Sequence, residues 1–174
     1  MNGEGSMMKE LSFRRVLSES EDETLRIGEV MAEYAFPGLT FFLEGDLGAG
    51  KTTLVRGYCR AAGCSGVRSP SFTLVNRYTG KEGTVVHSDL YRLDSVDPSE
   101  LDLESYLDEE SVLFVEWADR GMPGDFSDSW KIRFFYGEGE DAEDCRILEF
   151  AADGAKAEEA LTSFLSALGR MMTL

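Results

Sequence analysis

Positive charge is scarce in this chain. Its 174 residues hold 17 lysines and arginines against 33 aspartates and glutamates, a formal net charge of −16. Such a surface repels phosphates over most of its area, which argues against a protein that holds RNA by itself. Cysteine is scarce too, and Cys59, Cys64 and Cys145 are odd in number and share no metal-ligand spacing. No secretory segment and no apolar run of membrane-spanning length accompanies them. The expectation is a reducing cytoplasm and no membrane. Histidine occurs once, as His87, and a lone histidine is read as a packing residue rather than a base. No internal repeat is found.

What is present suits one compact domain, because 43% hydrophobic content is enough for a real core at this length. Residues 1–9 are set apart as a disordered lead-in or as added residues before a start at Met7 or Met8, and 10–174 are taken as the single domain.

The most informative stretch is Gly45-Asp46-Leu47-Gly48-Ala49-Gly50-Lys51-Thr52, two glycines four residues apart followed by lysine and a hydroxyl residue. Gly45 and Gly50 permit the positive φ angles that turn successive N–H groups inward as an anion nest. A helix beginning there adds its unpaired first-turn amides and positive dipole end. Lys51 would bring charge to the β- and γ-phosphates, and the Thr52 hydroxyl would ligate Mg²⁺. The bare string arises by chance on the order of once in a hundred chains of this length, so context matters. The context is right: 39–43 is a short β-prone apolar run, and 53–62 keeps Leu54, Tyr58 and Ala61 at helical spacing before Gly63 ends it. Asp46, Leu47, Gly48, Ala49, Gly50, Lys51, Thr52 and Thr53 are therefore the expected nucleotide-binding residues.

Other elements alternate around this one. Ser20 to Glu23 form a capping box, and behind it Leu25, Gly28, Ala32 and Ala35 keep one helical face small or apolar until Pro37. Residues 83–93 read as a strand running into a polar turn. The segment DPSELDLESYL reads as a helix with Asp97 as cap and Pro98 in first place. Residues 112–115 are apolar without alternation, as in a central strand covered on both faces. WKIRFFY and CRILEF flank an acidic turn and read as an antiparallel pair, and 155–168 as a closing helix. The expected fold is α/β, a three-layer sandwich of the P-loop NTPase kind, with a mostly parallel central sheet and an antiparallel C-terminal strand pair.

In such sheets ligands sit at the carboxyl ends of the strands. Glu116 ends the 112–115 strand and should lie beside the loop if the two strands are parallel neighbours. There it would hold the metal directly, hold it through water, or position the attacking water. Asp89 ends another apolar strand and is open to two readings, a water-orienting or metal-shell role or a structural turn aspartate. Trp117 packs in the core or covers the nucleotide. Arg56, Arg77, Arg92 and Arg120 are each candidates to stabilise charge at the site, with surface ion pairing the preferred reading for any one of them.

GDLGAGKTTLVRG, SPSFTLVNRY, HSDLYRL and FVEWADRG, in this order, resemble the bacterial TsaE family over roughly residues 10–150. The resemblance implies a small ATPase using ATP and Mg²⁺ with the TsaB and TsaD proteins. That assembly transfers a threonylcarbamoyl group to adenosine 37 of ANN-decoding tRNAs, with tRNA met only through the complex. It implies that Lys51 and Thr52 bind phosphate and magnesium, that Glu116 serves the metal, that Asp89 is a catalytic or metal-shell carboxylate, and that Trp117 lies near the nucleotide. Ser69, Pro70, Ser71 and Phe72 resemble a switch-like segment whose third place is usually threonine; Ser71 keeps the hydroxyl and loses the methyl. Two other classes are weighed. A small-molecule kinase would need an acceptor pocket and usually a basic lid, and no arginine-rich insertion is present. A GTP-driven switch would need an Asn-Lys-x-Asp string, and none occurs.

Overall fold

The computed structural model describes residues 13–70, 73–91, 97–120, 126–138 and 143–171. Residues 1–9, Ser71 and Arg92 lie outside them, as does the side chain of Arg120. In chain order the elements are β1 (Arg14–Ser18), α1 (Glu21–Tyr34), β2 (Thr40–Glu44), α2 (Lys51–Ala61), β3 (Val75–Gly80), β4 (Gly83–Asp89), β5 (Ser111–Glu116), β6 (Ser129–Tyr136), β7 (Arg146–Asp153) and α3 (Ala155–Met171).

The strands form a seven-stranded sheet in the order β1-β7-β6-β2-β5-β4-β3. Its centre is parallel, because β2 pairs β5 and β6, and β5 pairs β4, all in the same direction. Its margins are antiparallel, through β6 with β7, β7 with β1, and β4 with β3. The expected C-terminal pair is β6 and β7. The two edge strands, β1 and β3, were not foreseen as strands.

All three helices lie on one face of the sheet, where Phe41, Phe114 and Trp130 meet Leu54, Met31 and Phe164 in the main core. The other face has a smaller core of Phe42, Val86, Leu113 and Val115 under Leu90, Leu103 and Ala118. Its cover comes from short turns. The helix expected from 97 onward is two 3-10 turns, Pro98–Leu101 and Leu103–Tyr106, broken by Asp102 at φ 41°. The reason lies in the spacing of Leu101 and Leu103, which both pack on this face. Two residues apart, they cannot share one face of a continuous α-helix.

Ser20 caps α1 as expected, its Oγ accepting from Glu23 N–H at 3.2 Å, while the return bond of the box is displaced by one residue, the Glu23 carboxylate accepting from Glu19 N–H at 2.7 Å. The buried stripe of α1 runs through Thr24, Ile27, Gly28, Val30 and Met31, so Leu25, Ala32 and Ala35 are only half-buried at its margin. In α2 Tyr58 is buried as expected, but Ala61 is exposed and Ala62 takes the buried place. Among the described residues no helix is long and apolar enough to cross a membrane.

Candidate functional site

The chain leaves β2 through a loop held open by glycine. Gly45, Gly48 and Gly50 have φ of 147°, 79° and 104°, a conformation that side-chain-bearing residues rarely adopt. A Cβ at Gly45 would stand 2.8 Å from the Phe134 carbonyl oxygen, so β6 presses directly on the turn. The β6–β7 pair also braces the loop tip. Tyr136 Oη donates to the Leu47 carbonyl at 2.8 Å, and Arg146 Nη2 to the Gly48 carbonyl at 3.4 Å. Gly50 caps α2 without a side chain, so the first-turn amides of α2 face the loop's concavity with no capping oxygen in the way.

Lys51, the first residue of α2, is only 4% exposed. Its ammonium donates to the carbonyls of Gly45 at 2.6 Å and Asp46 at 2.9 Å and lies 4.1 Å from the centre of the Trp117 ring. Burial pulls its pKa below the ordinary 10.5, against the opposing pull of Glu116, Asp89, Asp119 and Asp46. A buried cation on carbonyls and a π face is a charge that an entering anion would relieve.

Opposite Lys51 stand the strand-end carboxylates. β2 and β5 are parallel neighbours with Leu43 beside Glu116, and β4 sets Asp89 beside Glu116 in turn. Thr52 Oγ1 donates to Glu116 Oε1 at 2.8 Å. The same oxygen lies 2.8 Å from His87 Nε2. Asp89 accepts from the Tyr91 amide at 2.9 Å and from Ser69 Oγ at 3.1 Å. Trp117 has a positive φ of 61°, which turns its ring back over Lys51 and against Tyr91, 4.9 Å between ring centres. Ala49, Lys51, Thr52, Asp89, Glu116 and Trp117 line one cleft of about 180 Å³.

Most of the expected site residues thus meet. Gly48, Ala49, Gly50, Lys51 and Thr52 form the floor, Asp46 contributes its carbonyl, and Leu47 is 68% exposed at the rim. Thr53 borders the cleft, but its hydroxyl points to Glu21 at 3.5 Å, on the flank where Glu21, Thr24 and Arg146 line a second depression of about 260 Å³. Arg56 pairs with Glu21 and Arg77 with Asp108, as surface arginines were expected to do. His87 was read as packing and is fully buried, yet its ring nitrogen is spent on Glu116. The signal was available: in a strand, residues 87 and 89 share a face, so a site at Asp89 implicates His87. A larger depression of about 520 Å³ lies among Ala35, Tyr58, Thr84 and Val112, where none of this chemistry is found.

No group of three or more His, Cys, Asp or Glu side chains among the described residues forms a metal cage. The hydroxyl of Thr52 and the carboxylate of Glu116 are instead two hard oxygen donors. That set suits Mg²⁺, which takes one or two protein oxygens and completes its shell with phosphates and water. Glycine amides, a helix N-terminus and Lys51 suit the phosphates themselves.

The family model described as threonylcarbamoyl adenosine biosynthesis protein TsaE matches residues 18–143. A TsaE protein of Aquifex aeolicus is 40% identical over 116 residues, 65% of this chain and 83% of that one. Its counterpart from Bacillus subtilis is 38% identical over 112 residues, 64% of this chain and 68% of that one, and one from a Nostoc species 35% identical over 129 residues, 71% and 79%. A crystal structure of YdiB from Bacillus subtilis superposes with a TM-score of 0.72 at 28% identity, covering 91% of this chain and 97% of that chain. The matched residues run from the end of β1 past the β6 strand and so enclose the loop, both strand-end carboxylates and Trp117; the chain belongs to the TsaE family of threonylcarbamoyl adenosine biosynthesis proteins.

Proposed function

We propose that the chain is the Mg²⁺-dependent ATPase of an assembly with TsaB and TsaD that installs N6-threonylcarbamoyl on adenosine 37 of ANN-decoding tRNAs. It supplies nucleotide turnover and leaves the group transfer to its partners. Membership of the TsaE family supports the pathway. One observation carries the catalytic half: Asp89 and Glu116, distant in sequence from Lys51 and Thr52, converge with them on one cleft at the mouth of a glycine-rich anion nest.

Each side chain has a task that follows from its contacts. The loop amides and the α2 N-terminus grip the phosphate chain. Lys51 exchanges the carbonyls of Gly45 and Asp46 for phosphate oxygens, and Trp117 keeps it at the cleft mouth. Thr52 commits its one proton to Glu116 and so turns its lone pairs to the cleft. Asp89, anchored by the Tyr91 amide and Ser69, is placed to orient the attacking water. Bound Mg²⁺ would neutralise charge developing on the transferred phosphoryl group.

The test is phosphate release from ATP by the chain alone and with TsaB and TsaD. Stimulation by the partners, with ATP preferred to GTP and no phosphorylated acceptor formed, is the expected result. Transfer of phosphate to a small acceptor would turn the reading to a kinase, and preference for GTP would turn it to a switch.

A further inference from the structure

His87 is 0% exposed, and its Nδ1 is buried with no hydrogen-bond partner among the described residues. A leucine or phenylalanine on this face of β4, beside Phe114 of β5, would fill the space without desolvating two ring nitrogens. Burying an imidazole with one nitrogen unsatisfied costs free energy, and among the described residues the one hydrogen bond that offsets it runs from Nε2 to Glu116 Oε1 at 2.8 Å. That same oxygen already accepts from Thr52. Two donors on one carboxylate oxygen use both of its lone pairs. Oε1 cannot then turn to a metal or a water without breaking a bond, and Oε2 is left as the oxygen presented to the cleft that Glu116 lines.

From this geometry we infer that His87 is a positioning residue for the nucleotide reaction: it pins Oε1 of Glu116 together with Thr52, so that Oε2 alone meets the cation shell or the attacking water. The inference rests on the ATPase reading for its consequence and on the hydrogen-bond geometry for its existence, and the two are tested separately.

The existence test uses the fact that His87 is the one histidine of the chain, so its ring signals in ¹⁵N-resolved NMR need no assignment. A single exchange-protected, downfield Nε2–H proton is expected in the wild type and in Thr52→Val. It should be lost or shifted upfield in Glu116→Ala. An unchanged signal in Glu116→Ala, or an exchanging ring proton in the wild type, overturns the inference whether or not the chain hydrolyses ATP.

The consequence test is steady-state turnover with TsaB and TsaD present. His87→Leu should lower kcat by about 10- to 100-fold, the range seen when groups that orient a ligating residue are removed, and move KM for ATP less than about twofold. Glutamine places its amide nitrogen as many bonds from Cβ as Nε2, whereas asparagine reaches only the place of Nδ1. His87→Gln should therefore recover most of the lost kcat and His87→Asn should not. Equal loss in the Gln and Leu variants at equal melting temperature, or full activity in the Leu variant, overturns the role. A wild type inactive even with its partners would sink the ATPase reading, while the NMR signals would still decide what His87 holds.

Discussion

In Lys51 burial and charge are set against each other within a single residue. Its ammonium is buried on two carbonyls and an aromatic ring, and its pKa is lowered because burial outweighs four nearby carboxylates. A charge held at such cost in the free protein is one whose natural partner is an anion. Lys51→Ala should accordingly fold, and its affinity for ATP should fall by about tenfold or more, the worth of a charge-assisted hydrogen bond to phosphate. A melting curve and a nucleotide titration check this, and unchanged affinity would remove the phosphate assignment. Asp89→Asn should behave in the opposite way. Asparagine retains an oxygen for the Ser69 hydroxyl or the Tyr91 amide, so binding should hold while partner-stimulated turnover drops by about 10²-fold or more, as expected when a group that handles a reacting proton is lost. Full turnover in that variant would leave Asp89 a structural residue. Lys51, Thr52 and Glu116 were legible because each stands in a pattern: a loop string, or an apolar strand ending in a carboxylate. His87 stands in no such pattern, and although alternation along β4 sets it on the face of Asp89, it takes the β4–β5 register to bring residues 87, 89, 114 and 116 onto one surface.

At the scale of elements, the loop is only as well placed as α2, and α2 is fixed against α1 by glycine. A Cβ at Gly57 would stand 2.0 Å from the Leu25 carbonyl oxygen, and one at Gly28 2.2 Å from the Leu54 carbonyl oxygen. The two helix backbones touch reciprocally. In an open helix Gly→Ala stabilises by about 0.5–1 kcal/mol; here Gly57→Ala must push the helices apart and should destabilise by about 1–3 kcal/mol, lowering the melting temperature by several degrees. A raised melting temperature would show that the helices can separate freely. The same helix sets an alkaline limit. Burial raises the Cys59 thiol above its ordinary 9.0 and the Tyr58 hydroxyl above its ordinary 10.0. Above pH 9 the unfolded chain ionises first, so its proton loss draws the equilibrium away from the fold, and stability falls as pH rises. Burial raises the Cys64 thiol in the same direction, so in Cys59→Ala the decline in melting temperature above pH 9 should become shallower rather than vanish, and an unchanged slope would place the limit elsewhere. The elements that sequence patterns foretold are those with strong local signals: α1 by its cap, β5 by its unbroken apolar run, β6 and β7 by a pair of β-prone runs around a polar turn. β1 and β3 escaped because edge strands such as RRVLS and VNRYTG carry few apolar residues and owe their form to a neighbour, β7 or β4, far off or not yet made. The 97–106 segment was misjudged because its two leucines serve the sheet's second face rather than a helix.

For the molecule as a whole, charge and site make opposite demands. A chain with a formal net charge of −16 that works in tRNA modification should not hold tRNA by itself at physiological salt, since nonspecific affinity comes from lysines and arginines releasing counterions. On the function proposed above, the tRNA contacts would fall to TsaD and its partners, and this chain would signal its nucleotide state to them through its own surface. The Ser69 hydroxyl on Asp89 links the cleft to the segment between α2 and β3. Nucleotide arriving beside Asp89 would bias that segment, as γ-phosphate contacts order switch loops in other nucleotide-driven proteins. ATP should strengthen docking to the TsaB and TsaD pair and ADP should weaken it, and Ser69→Ala should flatten the difference while ATP affinity of the isolated chain stays within about twofold, because the phosphate grip is the loop's and not Ser69's. A titration of the chain against the pair with ATP, ADP or no nucleotide measures this, beside filter binding with tRNA alone. Partner affinity indifferent to nucleotide in the wild type, or tight tRNA binding by the isolated chain, would mean that the acidic surface and the cleft serve an arrangement other than a nucleotide-gated subunit.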